Sequence, residues 1–459
     1  MHSGILCADI GTSSLKAAVI APDGTVLHFV RKLFPQPVRA VDWVSAFFSA
    51  WRTLTVDCAV QAICISGNGP SLIAVPQHAG GISTIQHKRG SICGSHTDAA
   101  NPSVPAADTI DALIAAAERD TLFLWNEPLP SNCAIPASTS LFLPRIAAFH
   151  ATHPQVFDNA AYIFSGPEYL AYLLTGSAAT VLPDPRYEAA YWNTQELAHF
   201  AETALHRETE TLAARLPPFT AAGSILGNCC GIPVIAGVPD FIAALIGTAT
   251  LVSGAACDRA GSSEGINICI PQPRRSAGAL LLPSIIPDLW NISSVIPSSG
   301  AAFSVFLMSH GFPGNDYRAA MERIAAEPFI MSGAYPNTFA GQGKAFVERL
   351  AFRIRRGCDM LEQASGCQPV YTLSGGQAHN PCWCQMKADM TGRTFALPHF
   401  ADAELLGDAA LALFGLGMSK DLPAAVGQLL RIERYYEPDT AALTRYTEKY
   451  AAVETVAHQ

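Results

Sequence analysis

The feature that most constrains this chain is a recurrence. An apolar run, Ile5–Ile10, breaks at Gly11-Thr12-Ser13-Ser14 and resumes as Leu15–Ile20. Far downstream the pattern returns: a strand leads into Ala260-Gly261-Ser262-Ser263, and Ile266–Ile270 follows. Short apolar runs bounded by small polar residues read as strands joined by tight turns. Asp23-Gly24 marks a second hairpin before Val26–Val30, so the chain opens as an antiparallel meander. Because each half starts this way, two related domains are expected, residues 1–248 and 249–459, and 459 residues are too many for one ordinary core.

Between these landmarks a further strand, Ala62–Ser66, ends in Gly67-Asn68-Gly69. Residues 76–108 are rich in Gly, Ser, His, Asn and Pro and read as loop. Helical spacing appears in Thr109–Arg119, Leu141–Ala151 and Pro167–Leu174, the last ended by Gly176. Towards the end, Lys344–Ser365 reads as a long amphipathic helix and Pro369–Leu373 as a strand. The turn Ser374–Asn380 and helices over Trp383–Thr391 and Leu405–Leu416 follow.

The stretch from Gly231 to Ala256 is long and apolar enough to raise a bilayer span. Two prolines, four glycines and Asp240 near its middle argue instead for a buried strand, Pro233–Gly237, a turn at Pro239-Asp240, and a helix from Phe241. A membrane reading is rejected. Hydrophobic residues make up 49% and charged residues 15%, which excludes wholesale disorder. A net charge of −9, without long like-sign runs, gives no footprint for nucleic acid or an anionic membrane. The first residues lead straight into a turn rather than a secretory signal, so a cytoplasmic protein with reduced thiols is expected. Cys229-Cys230 and Cys382-Trp383-Cys384 have no second ligand pair at zinc spacing and read as small core residues.

Three places carry chemistry. In Asp9–Lys16 a strand ends at an acid, and a turn of one glycine and hydroxyl residues can form an anion-binding concavity. Asp9 would repel phosphate unless a cation lay between them, which suits Mg2+ held through water. An ordinary hairpin with a polar turn has the same pattern. Asp240 stands between an apolar strand and an apolar helix, where a lone charge is costly. It can act as a base towards a hydroxyl, or simply cap the helix. Gly375-Gly376, with Asn380 in the same turn, allows a flat ring to approach the backbone.

In order and spacing these elements resemble the FGGY carbohydrate kinases, relatives of actin and the hexokinases, over nearly the whole chain. Residues 5–24 are similar to the first phosphate loop of that family, and residues 62–75 to its second strand and turn. Residues 167–176 are similar to a helix ending in Leu-Thr-Gly, and residues 232–247 to the segment with the catalytic base. Residues 260–270 resemble its second phosphate loop, and residues 374–417 its adenosine motif and the helix behind it. The resemblance implies an α/β fold of two ribonuclease-H-like (actin-like ATPase) domains, each with a mixed five-stranded sheet and flanking helices, around a central cleft. It implies ATP and Mg2+ as cofactors, Asp9 holding the metal through water, and Gly11, Thr12, Ser13 and Lys16 at the phosphates. Asp240 would be the general base. Gly261, Ser262 and Ser263 would face the phosphates from the second domain, and Gly300, Gly375, Gly376, Gln377 and Asn380 would bound the nucleotide. Gly67, Asn68 and Phe241 would stand on the acceptor side.

The acceptor implied is a small sugar or polyol, a ketose such as xylulose first, with glycerol or a seven-carbon ketose as alternatives. A second class of reading is a catalytically impaired sensor of sugar or nucleotide. Homodimers are common among the relatives implied. The chain also departs from the pattern. Ser262 replaces Thr, Gln377 replaces a small residue and is expected to narrow the pocket, and Phe241 stands where xylulose kinases have Asn and glycerol kinases Gln. A Trp–Asp–Arg segment is not recognisable in residues 76–100. The acceptor side is therefore unusual while the phosphate side is intact.

Overall fold

A computed structural model describes residues 2–76, 104–127, 138–312 and 316–457. Most of the expected loop at 76–108 lies outside them. The chain divides into two compact units: residues 1–247 with 404–429, and residues 248–403 with 430–459. Segment 404–429, expected with the second half, thus belongs to the first unit.

In the first unit β1 (His2–Ile10), β2 (Ser14–Ile20) and β3 (Val26–Leu33) form the meander. β4 (Cys58–Gly67) lies parallel to β1 on its other side. β5 (Leu72–Pro76), β6 (Thr121–Phe123) and β7 (Ala160–Phe164) make a separate three-stranded sheet, and β8 (Thr180–Leu182) pairs with β9 (Phe219–Ala221). β10 (Ile225–Cys229) and β11 (Ile232–Ile235) complete the main sheet, in the order β10-β11-β4-β1-β2-β3. The helix Ala40–Leu54 covers one face, burying Trp43, Phe47 and Trp51 against β1–β3. Its apolar residues recur at helical spacing, which is what puts them on one stripe.

The second unit repeats the plan. β12 (Ala256–Ala260) and β13 (Glu264–Ile270) form the hairpin, and β14 (Leu280–Pro283) and β15 (Trp290–Ile296) follow. β16 (Tyr371–Ser374), β17 (Phe395–Pro398) and β18 (Ile432–Tyr436) extend the sheet to β14-β15-β13-β12-β16-β17-β18. The helix Phe339–Ser365 lies against β13 and β15, opened by the Thr338 hydroxyl, which accepts from Gly341 N, and closed by left-handed Gly366.

Each main sheet departs from the expected five strands, having six and seven. The excess is peripheral. In both units three antiparallel strands are followed by two parallel ones: β3-β2-β1-β4-β11 and β15-β13-β12-β16-β17. β10, β14 and β18 are antiparallel additions at the edges. Two thiol and membrane expectations also meet the structure here. Cys230 is disulfide-bonded, against the expectation of reduced thiols, while ten described cysteines are free. Among the described residues no helix is long and apolar enough to cross a membrane; 231–256 contains β11 and the short helix Asp240–Gly247.

Candidate active site

In the first unit the hairpin register sets Asp9 opposite Lys16, and the Lys16 ammonium lies 3.9 Å from Asp9 and 3.8 Å from Glu404. Asp9 is 5% exposed. The turn is closed by Gly11 N donating to Ser14 O at 2.9 Å, which leaves Thr12 and Ser13 outside the strand ladders. Thr12 Oγ1 accepts from Asn68 Nδ2 at 3.0 Å and from Trp125 Nε1 at 3.1 Å. A hydroxyl has two acceptor positions and one proton. With both positions filled, the Thr12 proton is the group left to serve an incoming oxygen.

Asn68 follows β4, and its Oδ1 accepts from Ser71 at 3.1 Å. Gly67 at the end of β4 bridges in parallel to Pro239, the residue before Asp240. Asp9 pairs with Ser66 on the same strand. The two acids therefore come from strand ends separated by one intervening strand, about 10 Å at two strand spacings. Asp240 starts its helix half-buried, and its Oδ1 accepts from Phe241 N at 2.6 Å.

Behind this edge sits Asp408, wholly buried on the helix Ala403–Gly415. Ser66 Oγ donates to it at 3.1 Å, and the Cys64 thiol approaches at 3.7 Å. Burial first, then the charge of Asp9, push its carboxyl well above the usual range. Through these bonds it fastens segment 404–429 to β4.

In the second unit Gly261, Ser262 and Ser263 form an exposed turn, with Gly261 N donating to Ser263 O at 2.9 Å. Ala301 N donates to Ser262 O, which holds the start of the helix Ser299–Ser309 against it. Gly300 packs so closely that a Cβ there would run into Gly261 O. Gly375 adopts φ +88°, where a Cβ would lie 2.6 Å from Ala260 O, whereas Gly376 faces open space.

Gln377, expected to narrow the pocket, is held by bonds within the fold. Its Nε2 donates to Gly261 O at 3.1 Å, and its Oε1 accepts from Trp383 Nε1 at 2.8 Å. It ties the turn at Gly375–Asn380 to the turn at Gly261–Ser263. Asn380 is likewise engaged within the fold, accepting from Trp383 N and donating to Tyr317 O.

Below both turns lies Lys387, 1% exposed, 2.5 Å from Asp258 and 2.7 Å from Glu264. The hairpin register brings these acids from β12 and β13 to one cation on the helix Pro381–Thr391. The ammonium also lies 5.3 Å from the centre of the Trp383 ring. Two acids share one ammonium without water, so one acid keeps its proton. Glu264, raised by burial and then by Asp258, is pushed up to about 8. For Lys387 burial acts downward, and the two carboxyls more than reverse it.

Nine of the expected residues thus meet in the first unit, from Asp9 to Phe241, and eight in the second, from Gly261 to Asn380. Trp125, Asp408 and the Lys387 triad were missed. Trp125 follows β6 and lies beyond residues 76–100; its signal in the sequence is Trp125-Asn126-Glu127 after the apolar Leu122–Leu124.

Residues 288–416 match the model of the C-terminal domain of the FGGY family of carbohydrate kinases. A xylulose kinase of Staphylococcus epidermidis is 23% identical over 167 residues, 36% of this chain and 32% of that protein, so the match spans about a third of that relative. A probable L-xylulose kinase of Pasteurella multocida is 21% identical over 339 residues, 65% of this chain and 67% of that one. Among solved structures, a kinase from Brucella ovis described as a "xyloylose kinase" superposes with TM-score 0.72 at 18% identity, covering 98% of each chain. That likeness shows the fold. The carboxy-terminal match makes residues 288–416 similar to the C-terminal domain of the FGGY family of carbohydrate kinases.

Proposed function

We propose that the protein transfers a phosphoryl group from MgATP to a hydroxyl of a small ketose or polyol, with a ketose such as xylulose as the leading acceptor. The observation that carries this is that Asp9 and the residue before Asp240 pair with adjacent residues at the end of β4, from its two sides, beside a turn whose Thr12 hydroxyl accepts from Asn68 and Trp125. Relatives named as xylulose kinases support the acceptor class.

The donor set fits the metal and the phosphates. Asp9 supplies a hard carboxylate oxygen for Mg2+ through water. In the first unit Lys16, Thr12 and Ser13 supply a cation and hydroxyls for phosphate oxygens. Bound Mg2+ would offset charge on the transferring group. Asp240 accepts the proton of the attacking hydroxyl, and the Phe241 amide keeps one of its oxygens fixed in orientation. A near-normal carboxylate suffices, because a loose transition state needs deprotonation only late and positioning does most of the catalysis.

The test is ADP release from MgATP with a panel of ketoses and polyols. Release that requires the right acceptor is expected. Release without any acceptor would make the protein a nucleotide hydrolase, and nucleotide binding with no turnover would make it a sensor.

A further inference from the structure

Beside Asp240 lies a pocket that the phosphate chemistry does not use. Its walls are Gly69 and Pro70 after β4, Leu141 and Phe142, Tyr187, Ala190 and Tyr191, and the two neighbours of Asp240, Pro239 and Phe241. Its described lining carries no charged side chain, and its exposed surface is almost wholly apolar. Phe142 and Tyr191 stack with ring centres 4.4 Å apart, which makes this wall rigid.

The polar groups bordering it are largely committed. The Ser140 hydroxyl donates to Tyr191 O and accepts from Phe142 N and Leu143 N. Ser71 donates to Asn68 and accepts from Trp125 N. Asn68 gives one hydrogen to Thr12 and one lone pair to Ser71, so it retains a single hydrogen and a single lone pair. The site is therefore two-sided. Asp240, Thr12 and the remainder of Asn68 can serve hydroxyls at one end, and aromatic rings and prolines meet the other.

We infer that the acceptor is a ketose or polyol with at least one unhydroxylated carbon, a methyl or methylene group, lodged against Phe241 and the Phe142–Tyr191 wall. This rests on the kinase reading above and, within its ketose and polyol class, favours a deoxygenated acceptor over xylulose itself, which has no such carbon. A hydroxyl forced against the rings of Phe241 and Phe142 loses water without gaining a partner from them, a loss of about 10- to 100-fold. A methyl group there gains by leaving water.

The experiment measures kcat/KM with matched acceptor pairs: a pentulose against its 1-deoxy and 5-deoxy forms, and glycerol against propane-1,2-diol. A deoxy form favoured by about 10-fold or more in at least one pair is expected, and Phe241→Gln should shrink or reverse that preference. The hydroxylated member equal or better in every pair, with ADP release still dependent on acceptor, would overturn the inference and leave the kinase reading standing. Absence of acceptor-dependent release with all of these compounds would overturn the kinase reading and the inference with it. Phe142→Asn, on a different wall element, gives a second readout. An unchanged preference in both folded variants would also overturn the inference.

Discussion

Replacing Lys387 by Met tests the electrostatics of the second unit most directly. The ammonium, Asp258 and Glu264 are at most 1% exposed, so no water can take over from the lost cation. Removing one partner of a buried ion pair costs about 3–5 kcal/mol, against a total stability of about 5–15 kcal/mol. The sign of the pH dependence is also defined. In the wild type Glu264 binds its proton up to about pH 8 when folded, and only to about its ordinary value of 4.5 when unfolded. The folded state holds more protons between those values. Stability is fully present below that window and is lost as pH rises through it, by at most about 1.4 kcal/mol per unit. Without Lys387 both acids must be protonated to stay buried, so Lys387→Met should be milder at pH 5 and most severe above pH 8. Glu264→Gln, a neutral copy of the protonated acid, should stay within about 1 kcal/mol at pH 7 and flatten the dependence. Denaturant unfolding from pH 5 to 9, followed by hydrogen exchange in β12 and β13, reads both effects. A Lys387→Met protein as stable as wild type at pH 8, with the same slope, would refute the reasoning.

Asp240→Asn should lower turnover by about 10²–10⁴-fold in steady-state assays while nucleotide affinity stays near that of the wild type; turnover unchanged would remove Asp240 from the mechanism. Asp9→Asn should raise the Mg2+ concentration needed for half-maximal activity, and an unaltered metal titration would count against its role. Gly300→Ala places a methyl against Gly261 O and should cost about 1–3 kcal/mol in a thermal or denaturant melt. Gly376→Ala, facing open space, should leave the melt unchanged but weaken nucleotide binding measured by calorimetry, and normal affinity would move the nucleotide away from that turn.

Much of this protein could be read from local pattern. The two hairpins, the turns at Gly11–Ser13 and Gly261–Ser263, the strand–turn–helix around Asp240 and the Gly176 helix end all rest on alternation, turn chemistry and capping, which act over a few residues. What tertiary structure decided is which distant residues share a partner. That Trp125 reaches Thr12, that Asp408 sits on β4 and draws 404–429 into the first unit, and that Gln377 binds two turns together depend on sheet order and crossovers. Lys387, in a helix, and the acids of β12 and β13 look like ordinary surface charges in the sequence. Only the register of one hairpin under one helix makes them a dry, interdependent group, because a charge's cost and its partner are set by long-range packing and not by its neighbours in the chain.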